Sequence, residues 1–130
     1  MKVIGIAFSD LHLGEYSKFN EDNKRTLNHI RVLYLIKDLC IKYKCPAFFC
    51  GDFMHRPEFI STSLDEIIIE QFEELNRYEE FNIYGISGNH CMPKANTIEH
   101  RSPSHWANLC RRYSFLHNID FSYHDFGKFR

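Results

Sequence analysis

Side chains that can bind metal ions follow three separate apolar runs of this sequence. They are Asp10 and His12 after the first run, Asp52 after the second, and Asn89 and His90 after the third. In an extended backbone alternate side chains share a face, so Asp10 and His12 would present a carboxylate and an imidazole to one point. Oxygen and imidazole nitrogen donors together are typical ligands of divalent ions. Each pair alone is a common turn sequence, but the three together indicate metal-dependent chemistry.

The apolar runs before these side chains predict three β-strands, over residues 3–8, 47–50 and 81–87, and a fourth strand is predicted after Phe115. Ligand sites in parallel sheets lie beyond the carboxyl ends of the strands. Gly51 and Gly88 suit tight turns at two of these ends. We therefore expect the three strand ends to meet at one edge of a sheet.

Helices are predicted between the strands. The first begins at about Asp22 and stops before Cys45-Pro46. The second follows a capping-box spacing at Ser63-Leu-Asp-Glu66 and reaches roughly Glu80. The third starts at Ser102-Pro103 and ends near Tyr113. Helical spacing assigns the buried face of the first helix to Val32, Leu35, Ile36, Leu39 and Tyr43. The solvated face is assigned to Lys37, Asp38, Lys42 and Lys44.

This order of elements, β-α-β-α-β-α-β, predicts an α/β layered fold with a largely parallel sheet. A hydrophobic content of 44% and an aromatic content of 15% are enough to build a core. The formal charge of -1 neither favours nor excludes a nucleic-acid partner.

Cysteine usage and hydropathy indicate where such a protein works. The five cysteines form no Cys-x-x-Cys pair, which favours reduced thiols. No apolar run approaches the ~18 residues of a membrane span, and the first apolar run is too short for the hydrophobic region of a secretory signal. We expect a soluble, cytoplasmic protein without a membrane partner.

The segments Asp10-Leu-His12, Gly51-Asp52 and Gly88-Asn-His90 resemble the first three motif blocks of the calcineurin-like metallophosphoesterases. The resemblance covers nearly the whole chain and implies an α/β/β/α sandwich with two divalent metal ions, Mn²⁺ first and Mg²⁺ as the alternative. It implies that Asp10 and His12 bind the first ion, that Asp52 bridges both ions and that Asn89 binds the second. His90 would protonate the leaving oxygen. Two such ions can activate a water and neutralise a phosphate together.

The residues after Asp52 indicate which group of this superfamily the chain resembles. Protein phosphatases of this superfamily usually carry Gly-Asp-x-Val-Asp-Arg-Gly, whereas this chain has Gly51-Asp-Phe-Met-His-Arg-Pro57. Its Gly-Asp-x-x-His spacing, and the opening Phe8-Ser-Asp-Leu-His-Leu-Gly14, are similar to SbcD-type DNA repair exonucleases. The polar insert after His90 also resembles bacteriophage recombination nuclease subunits.

The SbcD-type resemblance carries expectations about substrate and partners. It implies that His55 orients the phosphodiester and His90. Arg56 is a candidate phosphate contact, with a solvated loop charge as the alternative. The implied partners are DNA, an SbcC-like ATPase subunit and a second copy in a homodimer.

Two features depart from the family pattern. Cys91 stands where the family usually has Asp or Glu, and a thiol cannot replace a carboxylate as a hydrogen-bond acceptor. The later histidine blocks of the family do not occur, so residues 1–130 are predicted to be the N-terminal part of one nuclease domain. Three functions stay open. DNA hydrolysis is favoured over hydrolysis of phosphomonoesters or nucleotides, and over an inactive, truncated module that binds DNA or a partner.

Overall fold

The computed structural model of this chain describes residues 2–14, 16, 21–55, 61–88 and 105–119. Four parallel strands form one sheet in chain order, and they are β1 Ile6–Phe8, β2 Ala47–Phe49, β3 Ile83–Gly85 and β4 Leu116–Asn118. The last residues of the strands are register partners, so all carboxyl ends lie at one edge. This confirms the predicted α/β fold and parallel sheet, although each strand is shorter than its apolar run.

In the described part of the chain, an α-helix lies between each strand and the next. The helices are α1 Lys24–Tyr43, which follows a 3-10 turn at Glu21–Asn23, α2 Thr62–Leu75 and α3 His105–Arg112. Right-handed crossovers between consecutive parallel strands place their helices on one face of the sheet. Ala47, Phe49 and Ile83 project from that face and are buried with residues of all three helices in one core. Phe48 and Tyr84 alternate with them and are only half-buried.

Aromatic side chains fill the core next to the carboxyl edge of the sheet. Trp106 is fully buried, and its Nε1 donates a hydrogen bond of 3.0 Å to the carbonyl of Gly85. Its ring lies 4.8 Å from that of Phe49 and 5.3 Å from that of Phe53, measured between ring centroids. Phe53 and Met54 are also completely buried, and they are therefore core residues.

The buried face of α1 differs from the predicted one. Val32, Leu35 and Tyr43 are 43%, 58% and 42% exposed. The apolar residues of α1 that are buried are Ile30, Leu33, Ile36 and Cys40. Ile36 is buried as predicted, and Leu39 is half-buried. The other three residues were misassigned because α1 carries apolar residues on more than one side, and spacing alone does not tell which stripe meets the sheet.

Lys37 was also assigned to the wrong face of α1. It is 8% exposed, and its ammonium group pairs with the Asp38 carboxylate at 2.9 Å. The same group lies 4.2 Å from the centre of the Tyr78 ring. A long aliphatic stem can be buried while its charged end reaches a partner at the surface, so a lysine on a core face carries no large penalty.

The cap of α2 is Ser61 and not the predicted capping box that starts at Ser63. Ser61 has extended backbone angles, and its Oγ accepts a hydrogen bond of 3.2 Å from the backbone N–H of Leu64. Ser63 lies inside the first turn. The helix ends at Leu75, five residues before the predicted end, and the side-chain oxygen of Asn76 accepts a hydrogen bond of 2.9 Å from the backbone N–H of Ser114. This bond ties the end of α2 to the start of β4.

Several predicted features can be compared only in part. None of the helices among the described residues has both the length and the apolar character needed to cross a membrane. The described cysteines are all free thiols, in agreement with the prediction, and they are Cys40, Cys45, Cys50 and Cys110. The predicted start of the third helix at Ser102-Pro103 lies outside the described residues.

Candidate metal centre

The loops that follow β1 and β2 run side by side and bring Asp10, His12 and Asp52 together. One ligand atom from each of the three lies within 4.8 Å of the other two. The backbone N–H of Asp10 donates to the carbonyl of Gly51, and that of His12 to the carbonyl of Asp52, both at 3.0 Å. The structure thus places three of the sequence-predicted ligands at one point, beyond the ends of two neighbouring strands.

The backbone of all three residues lies in the left-handed region. The φ angles are 54° at Asp10, 46° at His12 and 62° at Asp52, and Gly51 has a φ of 110°. Left-handed angles cost roughly 1–2 kcal/mol for residues with a side chain, and such angles cluster at functional sites. The expected convergence of Asp10 and His12 is therefore right, but its predicted cause is wrong. The two residues converge through a bent loop, because β1 ends before them at Phe8.

The donor set fits a divalent ion. Nε2 of His12 lies 3.4 Å from Oδ1 of Asp10, and Ser9 Oγ donates a hydrogen bond to the other oxygen of that carboxylate. Metal–ligand bonds of about 2.0–2.2 Å place neighbouring donor atoms about 3 Å apart. A set within 4.8 Å can therefore close around an ion with small side-chain rotations. Two carboxylates and an imidazole suit Mn²⁺, Mg²⁺ or Zn²⁺.

The segment after β3 reaches the same place through Gly88. A Cβ atom on Gly51 would lie 3.0 Å from the Cα of Gly88, and a Cβ on Gly88 would overlap the carboxylate and the amide of Asp52. Only a glycine at position 88 lets the chain pass so close to Asp52. The residues that come next, Asn89, His90 and Cys91, lie outside the described residues. Their part in the site stays a prediction.

His55 lies beside the metal-binding group. Its ring centroid is 5.9 Å from that of His12, with the two rings nearly perpendicular at 77°. The backbone N–H of His55 donates to the carbonyl of Leu13 at 2.7 Å. A Cβ on Gly14 would lie 2.7 Å from the Cβ of His55, so the loop after β1 packs directly against this histidine. Arg56 lies outside the described residues.

Tyr16 and Arg25 belong to the site but were missed by the sequence analysis. The Tyr16 ring stacks on His55 with centroids 5.1 Å apart and planes at 25°, and its hydroxyl donates a hydrogen bond to the carbonyl of His12. The Arg25 guanidinium lies 3.6 Å from the centre of the Tyr16 ring. One signal was available: Arg25 is in the first turn of α1, where a positive charge is unfavourable, so a specific partner was to be expected.

The first turns of α1 hold the loop after β1 in two further ways. Thr26 is fully buried, and its hydroxyl donates a hydrogen bond of 2.9 Å to the carbonyl of Gly14. The ring of His29 meets the Tyr16 ring edge-on at 5.5 Å. Burial lowers the pKa of His29, and its hydrogen bond to the backbone of His12 opposes that effect.

Comparison with known proteins identifies one family. The profile described as calcineurin-like phosphoesterase matches residues 6–129, a range that includes Asp10, His12, Asp52 and His55. No curated protein matches the chain at a significant level.

Proposed function

The chain belongs to the calcineurin-like phosphoesterase family, and we propose that within it the protein is a nuclease that hydrolyses phosphodiester bonds of DNA. The family supports metal-dependent phosphoester hydrolysis in general, and Asp10, His12 and Asp52 form a candidate metal-binding group. The choice of DNA as the substrate is our inference from the residues around that group.

The position of His55 is the observation that carries the proposal. Its ring adjoins the ring of His12, and the backbone holds it there through the hydrogen bond to Leu13. The Gly-Asp-x-x-His spacing that supplies this histidine resembles SbcD-type exonucleases and departs from the protein phosphatase pattern. An imidazole next to the metal group can donate a hydrogen bond to a phosphate oxygen, which orients the scissile diester.

Each side chain of the site has a proposed task. Asp10 and His12 would hold one divalent ion, Asp52 would use its two oxygens to hold both ions, and Asn89 would hold the second. The ions, proposed to be Mn²⁺ with Mg²⁺ as the alternative, would supply Lewis acidity toward water and phosphate. His90 would protonate the leaving oxygen, since an imidazole exchanges protons near neutral pH. Arg56 would contact a phosphate of the strand.

The same resemblance supports the wider biological proposal. The nuclease would act in DNA repair or recombination in the cytoplasm, as a homodimer with an SbcC-like ATPase subunit. Within this proposal, the polar insert after His90 suggests a bacteriophage recombination nuclease subunit. Its support is the pattern of motifs in the sequence.

The test compares DNA with small substrates at fixed Mn²⁺ concentration. The protein is incubated with end-labelled single- and double-stranded DNA, with a chromogenic phosphodiester, with a chromogenic phosphomonoester and with a nucleotide. We expect metal-dependent cleavage of DNA. Asp52→Ala should abolish it, and His90→Ala should lower it by about 10²–10⁴-fold, the usual contribution of a general acid.

Two further variants sharpen the result. His55→Asn should lower DNA cleavage, while His117→Asn should leave it unchanged because His117 lies on β4, hydrogen-bonded to Asn82 at 2.8 Å. Full activity in Asp52→Ala contradicts the metal-dependent assignment. Hydrolysis of only the monoester or the nucleotide identifies a different phosphoesterase. Failure to hydrolyse any substrate contradicts the proposed nuclease and favours the inactive module.

A further inference from the structure

Tyr16 connects the metal group to His55 by contacts of two kinds. Its hydroxyl is a hydrogen-bond donor to the backbone of a metal ligand, His12. Its ring is a stacking surface for His55. Because Tyr16 contacts both histidines, a displacement of His12 would also displace the ring on which His55 stacks.

We propose that Tyr16 is a positioning residue, which holds the metal ligand His12 and the substrate-orienting His55 in a fixed relation, and that Arg25 holds Tyr16 in place. The inference rests on the proposed function for the role of His55. The relation of Tyr16 to His12 does not depend on which phosphoester is the substrate.

The backbone of His12 needs support because its φ is 46°. Its N–H is fixed by the carbonyl of Asp52 at 3.0 Å, and its carbonyl accepts the hydrogen bond of Tyr16. The N–H and the carbonyl of His12, which flank its Cα atom, are thus both held by hydrogen bonds. Groups that orient a metal ligand from outside the coordination shell commonly change metal affinity when they are removed.

The ring of His55 is confined between a backbone and an aromatic surface. Gly14 packs against its Cβ atom so closely that a Cβ on Gly14 would lie 2.7 Å away. Tyr16 stacks on its ring with a centroid distance of 5.1 Å. Offset-stacked rings are a favourable arrangement, so removal of the Tyr16 ring takes away one of the surfaces that hold the His55 ring in place.

Arg25 fixes the Tyr16 ring in turn. The guanidinium is 3.6 Å from the ring centre, a distance typical of a cation–π contact. The attraction explains a positive side chain in the first turn of α1, which the helix dipole disfavours. A planar guanidinium stacks on a ring in a way that an ammonium group does not, so Arg25→Lys should loosen the ring while it keeps the charge.

The test uses three variants and one matched control in the 130-residue chain. Tyr16→Phe removes the hydroxyl and keeps the ring, Tyr16→Leu removes both, and Arg25→Lys keeps only the charge. The control is Tyr34→Phe, which removes another tyrosine hydroxyl, one that donates a hydrogen bond of 3.1 Å to Gln71. The first readout is the NMR chemical shifts of the His55 ring protons, which change when an aromatic ring stacks on them. The second is the Kd for Mn²⁺, obtained by measuring the concentration of free ion at each point of a titration.

The variants should separate the two kinds of contact. In Tyr16→Phe we expect unchanged His55 shifts and a Kd for Mn²⁺ about 10-fold higher, at the low end of the usual range for such outer contacts. In Tyr16→Leu both readouts should change. In Arg25→Lys the His55 shifts should move part of the way, and the control should match the wild type in both readouts.

Three results would overturn the inference. They are His55 shifts in Tyr16→Leu that equal those of the wild type, a Kd for Mn²⁺ in Tyr16→Phe that equals that of the control, and a wild type that binds no Mn²⁺. If circular dichroism shows that Tyr16→Leu does not fold, the Kd for Mn²⁺ of Tyr16→Phe and the His55 shifts of Arg25→Lys test the inference instead. Neither readout uses DNA, so a wild type that binds Mn²⁺ and cleaves no DNA would contradict the proposed function and leave the role of Tyr16 standing.

Discussion

The backbone N–H of His12 donates a hydrogen bond of 3.0 Å to the carbonyl of Asp52, which joins the two metal-ligand loops directly. The pairing continues past this bond, because Leu13 and Met54 form a parallel bridge. A shift of one loop therefore moves ligands on both. This explains how short strands of three residues can hold a site, since the loops extend the pairing beyond the sheet.

Gly14→Ala should impair the site through His55. The new Cβ would lie 2.7 Å from the Cβ of His55, so the histidine must move. We expect the free energy of unfolding to fall by about 1–3 kcal/mol, as for other overpacked positions. Hydrolysis by the folded protein should fall by about 100-fold, since a displacement of about 1 Å at a reacting group commonly has that effect.

Gly85→Ala is the matched control for Gly14→Ala. Its Cβ would lie 2.7 Å from the Trp106 ring, and the three atoms nearest to it belong to Trp106 and Phe49 and not to a ligand residue. Urea unfolding should show a similar loss of stability, while hydrolysis per folded molecule stays near that of the wild type. Equal losses of activity in both variants would show that Gly14 has only a structural role.

Ser61→Ala should destabilise α2 by about 1 kcal/mol, the usual effect of removing an N-cap side chain. The reason is that the Ser61 hydroxyl accepts the backbone N–H of Leu64. Ser63→Ala is the control, and it should change the free energy of unfolding little, since alanine is favourable inside a helix. Chemical denaturation of both variants measures the difference. A larger loss for Ser63→Ala would restore the capping box inferred from the sequence.

The described cysteines should react with iodoacetamide at very different rates. Cys50 is exposed at the end of β2, whereas Cys40 is 1% exposed and burial raises its pKa to about 12. The thiolate is the reactive form, and at pH 8 a thiol with a raised pKa is almost entirely protonated. Mass spectrometry after brief labelling should find Cys50 modified and Cys40 intact until urea unfolds the protein. Early labelling of Cys40 would contradict the packing of α1.

The sheet and the positions of the metal-binding residues could be predicted because both depend on the order of apolar runs and polar residues along the chain. Apolar runs followed by Asp10, Asp52 and Gly88 specify where strands end, and parallel strands then bring those ends together. The resemblance to the calcineurin-like phosphoesterase family is confirmed by the match over residues 6–129.

The parts that could not be predicted depend on contacts distant in sequence or on backbone angles. The contact of Tyr16 with His55 joins two loops, and the left-handed angle of His12 has no signature in its residue type. The buried stripe of α1 was misassigned because Val32 and Leu35 are as apolar as the residues that face the core. Only the position of the sheet decides between the two stripes.

The most direct measurement is a calorimetric titration of Mn²⁺ into the wild type, Asp52→Asn and Asp22→Asn. Asp52 supplies a ligand atom within 4.8 Å of those of Asp10 and His12, whereas Asp22 is an exposed carboxylate that pairs with Lys24 at 3.8 Å. We predict that the wild type and Asp22→Asn bind Mn²⁺ alike, and that Asp52→Asn binds it at least about 10-fold more weakly because a carboxylate donor has been lost. Equal affinity in all three proteins would contradict a metal centre at Asp10, His12 and Asp52.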